Sequence, residues 1–157
     1  MQNYVPFFLI PFIFWGVRRF LVSRNDYTTL KKITLSIGVT AWFLTEMARS
    51  FYRPYIYANH IDDWVIADTI GNSLGTITAI FMILTMSGRG THWDWRLVAM
   101  VIAGLIGYEL LNLPGHQGFD LNDIVATVVF GGVSILVYAR ILARYGEPGA
   151  GKTHHQK

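Results

Sequence analysis

The sequence contains no cysteine. That single absence removes disulfides, thiolate metal sites and a cysteine nucleophile. Charge is also scarce. Asp, Glu, Lys and Arg make up 15 % of 157 residues, against about 25 % in an ordinary soluble domain. No histidine falls inside an apolar run, so the usual ligand of a haem or chlorophyll is missing from the hydrophobic segments. No H-E-x-x-H pattern occurs, and no nucleophile with an adjacent base is visible. These gaps argue against disorder, a collagen-like repeat and an ordinary soluble enzyme.

Hydrophobic residues fill the space that charge leaves. They account for 52 % of the chain, and the mean hydropathy is +0.36. A helix crossing hydrocarbon needs ~20 mostly apolar residues. Five segments approach that length, at 4–22, 33–51, 64–86, 97–113 and 124–143. The third holds a single charged side chain, Asp68. Arg18 and Arg19 shorten the first, and Pro6 and Pro11 fall inside it, which membrane helices tolerate. The start Met1-Gln2-Asn3-Tyr4 has no charged side chain, so a retained helix fits better than a signal peptide. The expected fold is all-α: residues 1–145 form one bundle of five transmembrane helices, and residues 146–157 form a polar tail.

Cations set the expected orientation. Arg18, Arg19, Arg24, Lys31, Lys32, Arg89, Arg96, Arg140, Arg144, Lys152 and Lys157 fall on alternate connections, on one side. Only Arg49 and Arg53 fall on the other. The positive-inside rule then places the N-terminus outside and the C-terminus in the cytoplasm. The isoelectric point near 9.3 therefore reflects topology and not a nucleic-acid surface, for which no basic, aromatic-interleaved domain exists. Trp64, Trp93, Trp95, Tyr52, Tyr55 and Tyr57 lie at span ends, where amphipathic rings anchor at the headgroups.

Small residues predict helix contacts: Gly71 and Gly75, Gly104 and Gly107, Gly131 and Gly132, within the bundle or with a second copy. Polar residues gather at the outer span ends. Asp68, Asn72 and Thr76 share one helical stripe, and Glu46 can pair with Arg49 at i+3. Glu109, Asp120 and Asp123 flank the last outer connection. One reading makes these satisfied caps and ion pairs. The other makes Glu46, Arg49, Arg53, Asp68, Asn72, Glu109, Asp120 and Asp123 an outward-facing acidic pocket for a headgroup, an ion or a partner. His60, Asp62, Asp63, His116, Asp120 and Asp123 offer hard ligands but no metal spacing, so no metal site is assigned.

Residues 146–153 match G-x-x-x-x-G-K-[ST] through Gly146, Gly151, Lys152 and Thr153. That motif cradles phosphates only between a strand and a helix. Here an apolar helix precedes it and four residues follow, so no nucleotide binding is expected. An echo at an offset of 60 relates Ile61, Asp62, Asp63 and Gly71 to Leu121, Asn122, Asp123 and Gly131. It suggests two helix pairs related by duplication.

Residues 60–142 resemble the VanZ-like family of bacterial membrane proteins. That family has a Glu near one span end, a loop with Arg-x-Phe-Asp, and an Asp opening the last span. Glu109, then Gln117-Gly-Phe119-Asp120, then Asp123 follow this order, and Asp68, Asn72 and Gly75 reproduce its Asp-x-x-x-Asn-x-x-Gly on an earlier span. Asn112, Gln117 and Thr127 stand where the family has Gln, Arg and Asn, while Trp64 and Ala67 replace its Lys and His. The resemblance implies an envelope-associated protein of the bacterial inner membrane.

The expectation is a small, non-catalytic, multi-pass membrane protein without a cofactor, whose partners are the bilayer and other membrane subunits or its own copies. An accessory subunit of a photosynthetic or respiratory complex, an enzyme acting on lipid-linked substrates, and a transporter are the alternatives.

Overall fold

The computed structural model describes residues 4–111 and 120–146, and these are all-helical, without strands. The helices are α1 (Val5–Ser23), α2 (Thr29–Met47), α3 (Arg53–Ala58), α4 (Ile66–Ser87), α5 (Trp93–Leu111) and α6 (Leu121–Tyr145). A π-helical segment, Ala48–Tyr52, joins α2 to α3. Three helices, α1, α4 and α6, are long and apolar enough to cross a membrane. The other two long helices are diluted by charge: α2 carries Lys31, Lys32 and Glu46, and α5 carries Asp94, Arg96 and Glu109.

The second expected span is one continuous helical rod that runs on through α3. Pro54 explains the π turn. Proline lacks an N–H and its ring clashes with the carbonyl four residues back. A π turn widens the helix there and absorbs the misfit.

The connections are built by local chemistry. After α1, the Asn25 N–H donates to the Val22 carbonyl (3.0 Å) and the Asp26 N–H to the Leu21 carbonyl (2.9 Å). Asn25 takes the left-handed conformation, φ 54°, which completes a Schellman cap. Thr28 then caps α2 through the Lys31 N–H at 3.3 Å. His60, φ 51°, ends α3 by the same motif, with Ile61 N–H donating to the Ile56 carbonyl at 3.1 Å.

The largest helix seam joins α2 and α4, followed by α4 with α6. Leu30, Ile80, Phe81, Leu84, Val98 and Tyr138 form the core. Gly38 lets α2 approach α4: a Cβ there would lie 3.1 Å from Met82 Sδ and 3.3 Å from its backbone N. The six glycines expected at helix contacts differ in what surrounds them within the bundle. A Cβ on Gly71, Gly75, Gly104, Gly107 or Gly132 would meet nothing within 4 Å among the described residues. Only Gly131 of the six is at a contact, with Ile102 Cδ1 2.8 Å from a Cβ. Nor does the offset of 60 align the helices. Asp63 precedes α4, which begins at Ile66, whereas Asp123 lies inside α6, which begins at Leu121.

Candidate functional site

The connection from α3 to α4 assembles a polar cluster at one end of the bundle. Arg53 Nη2 lies 3.3 Å from Asp68 Oδ1. Its Nε donates to the Tyr57 hydroxyl at 2.9 Å, and that hydroxyl donates in turn to the same Asp68 oxygen. Arg53 and Tyr57 are one helical turn apart, so α3 presents both toward the first turn of α4. The guanidinium also lies 5.3 Å from the Tyr57 ring centroid. Hydrogen bonding to Tyr57 chiefly pushes the Arg53 pKa upward, with the Tyr57 and Asp68 charges adding and burial opposing.

The loop below this cluster is tied by its own acids. Asp63 accepts from the Tyr52 hydroxyl (3.2 Å) and from the Ala67 N–H (2.6 Å). Asp62 accepts from the Trp64 N–H at 3.2 Å. These bonds hold Trp64 and Val65 at positive φ, 58° and 67°, a conformation that is costly for a β-branched residue.

Helix α6 brings the remaining acids alongside. Asp120 caps it, accepting from the Asn122 N–H at 2.8 Å. Asp123, in the first turn, lies beside Asn72 and within electrostatic reach of Asp68, Asp120 and Arg53. One of its carboxylate oxygens, Oδ1, is buried with no hydrogen-bond partner among the described residues. Glu109, near the end of α5, is within reach of Asp120 and Asp123. Asn72 accepts at its carbonyl from the Thr76 hydroxyl, 2.6 Å.

Six of the eight expected pocket residues are thus brought together: Arg53, Asp68, Asn72, Glu109, Asp120 and Asp123. Glu46 and Arg49 are not joined to them. Their expected ion pair is absent among the described residues, because the π turn starting at Ala48 breaks the α-helical phase that an i, i+3 pair needs. Asp68 lies at the helix end and not in its middle. It sits in the first turn of α4, and its side chain is 46 % exposed.

No group of three His, Asp or Glu residues among the described residues is placed to hold a metal. His60, Asp62 and Asp63 are instead occupied in loop structure. His116, Asn112, Gln117 and Phe119 lie outside the described residues, as do 147–157, which include most of the glycine-rich match and nearly all of the expected tail.

Sequence reasoning missed two features. An apolar groove of about 710 Å³ lies between the π segment and α4, with Leu44, Phe51, Tyr55, Ile70 and Leu74 among its walls. At the opposite end of the bundle, Asp94 is fully buried. It accepts from the N–H groups of Arg89 (2.9 Å) and Gly90 (2.8 Å) and from the Tyr138 hydroxyl. Its place in the first turn of α5 resembles any dipole-matched acid, so the sequence offered no signal of its burial.

No family model, curated protein or solved structure matches the chain.

Proposed function

We propose that the chain is a small, non-catalytic integral membrane protein, resembling VanZ-like proteins of the bacterial inner membrane, that binds a ligand at its outer polar cluster. Five helices cross the bilayer, with the N-terminus outside and the C-terminus in the cytoplasm. The segregation of Arg and Lys favours this orientation.

One observation carries the binding reading. Among the described residues Asp123 Oδ1 is buried without a hydrogen-bond partner, while the Asn72 side chain lies against the same carboxylate and Arg53, whose charge is shared with Asp68 and Tyr57, is within reach. A buried acceptor without a donor costs about 1–3 kcal/mol, and a ligand that donates to it recovers that cost. Acids outnumber cations in the cluster, so a donor-bearing cationic headgroup, an ion or a basic segment of a partner fits. Nothing in the cluster supplies a nucleophile with its base, which favours binding over catalysis.

Native mass spectrometry of gently extracted protein tests this. A bound species that disappears in Asp123→Asn combined with Asp68→Asn, with helix content unchanged, supports the reading. A species that persists in that variant, or wild-type protein that carries none, overturns it.

A second reading, an accessory subunit of a larger membrane complex, is favoured by α5. Its Ala99, Ala103 and Gly104 are exposed, and Gly104 and Gly107 have open space at Cβ, which suits close approach of another helix. Stoichiometric unrelated subunits in the same extract favour that reading.

A further inference from the structure

The end of the bundle away from the acidic cluster carries more cations than acids, and its acids are engaged, Asp26 with Lys31 and Asp94 with the Arg89 N–H, Gly90 N–H and Tyr138 hydroxyl. Lys31 is buried, and Asp26 holds it at 2.5 Å. Arg18, Arg19, Arg24, Lys32, Arg96 and Arg144 are exposed, and none forms an ion pair among the described residues. Each lies against an aromatic ring instead. Arg19 is 5.3 Å from the Trp15 centroid and Arg24 is 4.4 Å from that of Phe20. Such contacts stabilise a cation but leave its donors free.

Two cations converge on one ring. Arg18 Cζ lies 5.8 Å and Lys32 Nζ 5.1 Å from the Tyr27 centroid. Tyr27 sits in the tight connection between α1 and α2, which the Asn25 cap and the Thr28 cap hold in place. Like charges drawn to one ring repel, and a bound anion relieves that repulsion. The Tyr27 hydroxyl, which makes no hydrogen bond among the described residues, adds a third donor.

The depth of this constellation identifies the anion. Helix α1 is apolar enough to span the membrane, and Arg18 and Arg19 lie in its final turns. Exposed Phe20 and Val22 adjoin them. Cations that snorkel from the end of an apolar helix, with rings beside them, lie at headgroup level, and acyl chains have apolar surface directly below.

We propose that Arg18, Tyr27 and Lys32 form a seat for the phosphate of an anionic phospholipid, flanked by Arg19 and Arg24. Zwitterionic lipids share the phosphate but carry a compensating cation, so the seat selects net negative headgroups. This inference rests on membrane insertion of α1, which flotation with liposomes tests by itself.

The test uses the full chain in nanodiscs mixing phosphatidylcholine with phosphatidylglycerol. Lipids retained after gentle ejection are counted by native mass spectrometry. The expected result is enrichment of phosphatidylglycerol over its bulk share. Arg18→Gln combined with Lys32→Gln lowers that enrichment roughly five-fold for each cation removed, while Arg140→Gln leaves it unchanged. Absence of enrichment in the wild type, or an unchanged value in the double variant, overturns the proposal. Displacement of the lipid by inorganic phosphate at low concentration overturns it too, because the site then serves a soluble anion. Wild-type protein that fails to float with liposomes overturns the membrane reading and the seat together.

Discussion

Asp94 shows how much one side chain can hold. Its carboxylate binds the connection between α4 and α5 through two backbone N–H groups and binds α6 through Tyr138. Removing it by Asp94→Ala strands the buried Tyr138 hydroxyl and two part-buried backbone N–H groups, at about 1–3 kcal/mol for each group left unsatisfied. The expected outcome is a large loss of stability in detergent-induced unfolding followed by circular dichroism. Tyr138→Phe removes one donor and leaves the carboxylate two partners, so its loss is smaller, about 1.5–3 kcal/mol at most for a bond to a charged group. A result in which Tyr138→Phe costs more than Asp94→Ala contradicts this ranking. Val65 presents the reverse case. It holds φ 67°, where a β-branched residue is strained, so Val65→Asn is expected to stabilise the chain by about 1 kcal/mol in the same assay. Neither residue is legible in the sequence. An Asp in a first helical turn and a Val at a span boundary are both ordinary until the backbone and the neighbours are known.

The helices themselves were legible, since five long apolar segments predict five long helices. Their ends were not, because caps such as Asn25 and His60 depend on backbone conformation rather than residue type. The π turn was equally hidden, although Pro54 was in view. Pro54→Ala restores the missing N–H and lets the rod close into α-helical geometry, which turns α3 relative to α4. The expected outcome is separation of Tyr57 and Asp68, read as lower cross-linking between cysteines placed at those two positions in the Pro54→Ala background. Unchanged cross-linking contradicts it. The seam between α2 and α4 rests on Gly38, which no spacing rule singled out. A methyl at Gly38 meets a backbone nitrogen at 3.3 Å as well as the Met82 side chain, and backbone yields less than a side-chain tip. Gly38→Ala is therefore expected to cost about 1–3 kcal/mol, and Gly104→Ala, with open space around it, almost nothing. Equal losses at the two sites contradict the assignment of Gly38 to the seam.

For the whole molecule, the orientation can be tested cleanly because the chain has no cysteine. A single cysteine at Asn59, in the connection that the proposed orientation places outside, is expected to react with a membrane-impermeant maleimide in intact cells. One at Ser23, beside the cation-rich end, is expected to react only after permeabilisation. The opposite pattern inverts the topology, and with it the side on which the acidic cluster faces. The two ends of the bundle differ in character. One shares a charge among Arg53, Tyr57 and Asp68 and leaves an Asp123 oxygen unmatched among the described residues. The other arrays Arg18, Arg19, Arg24 and Lys32 on aromatic faces, outside the one ion pair there, Lys31 with Asp26.

Composition and hydropathy by themselves determined that the protein is helical and suited to a membrane, because the bilayer permits few backbone solutions and apolar length is read residue by residue. They also determined that Arg and Lys concentrate on alternate connections, since that depends only on which connections hold which charges. Which residues meet was left to the tertiary structure. Among the described residues Arg53 pairs with Asp68 where Glu46 and Arg49 do not pair, and within the bundle Gly38 and Gly131 are at close contacts where Gly71, Gly75, Gly104, Gly107 and Gly132 are not. Asp94 is buried where an exposed cap would have had the same sequence. Each of these outcomes depends on helix phase, a turn's hand or the approach of a neighbour, and those are properties of pairs of elements that no single segment encodes.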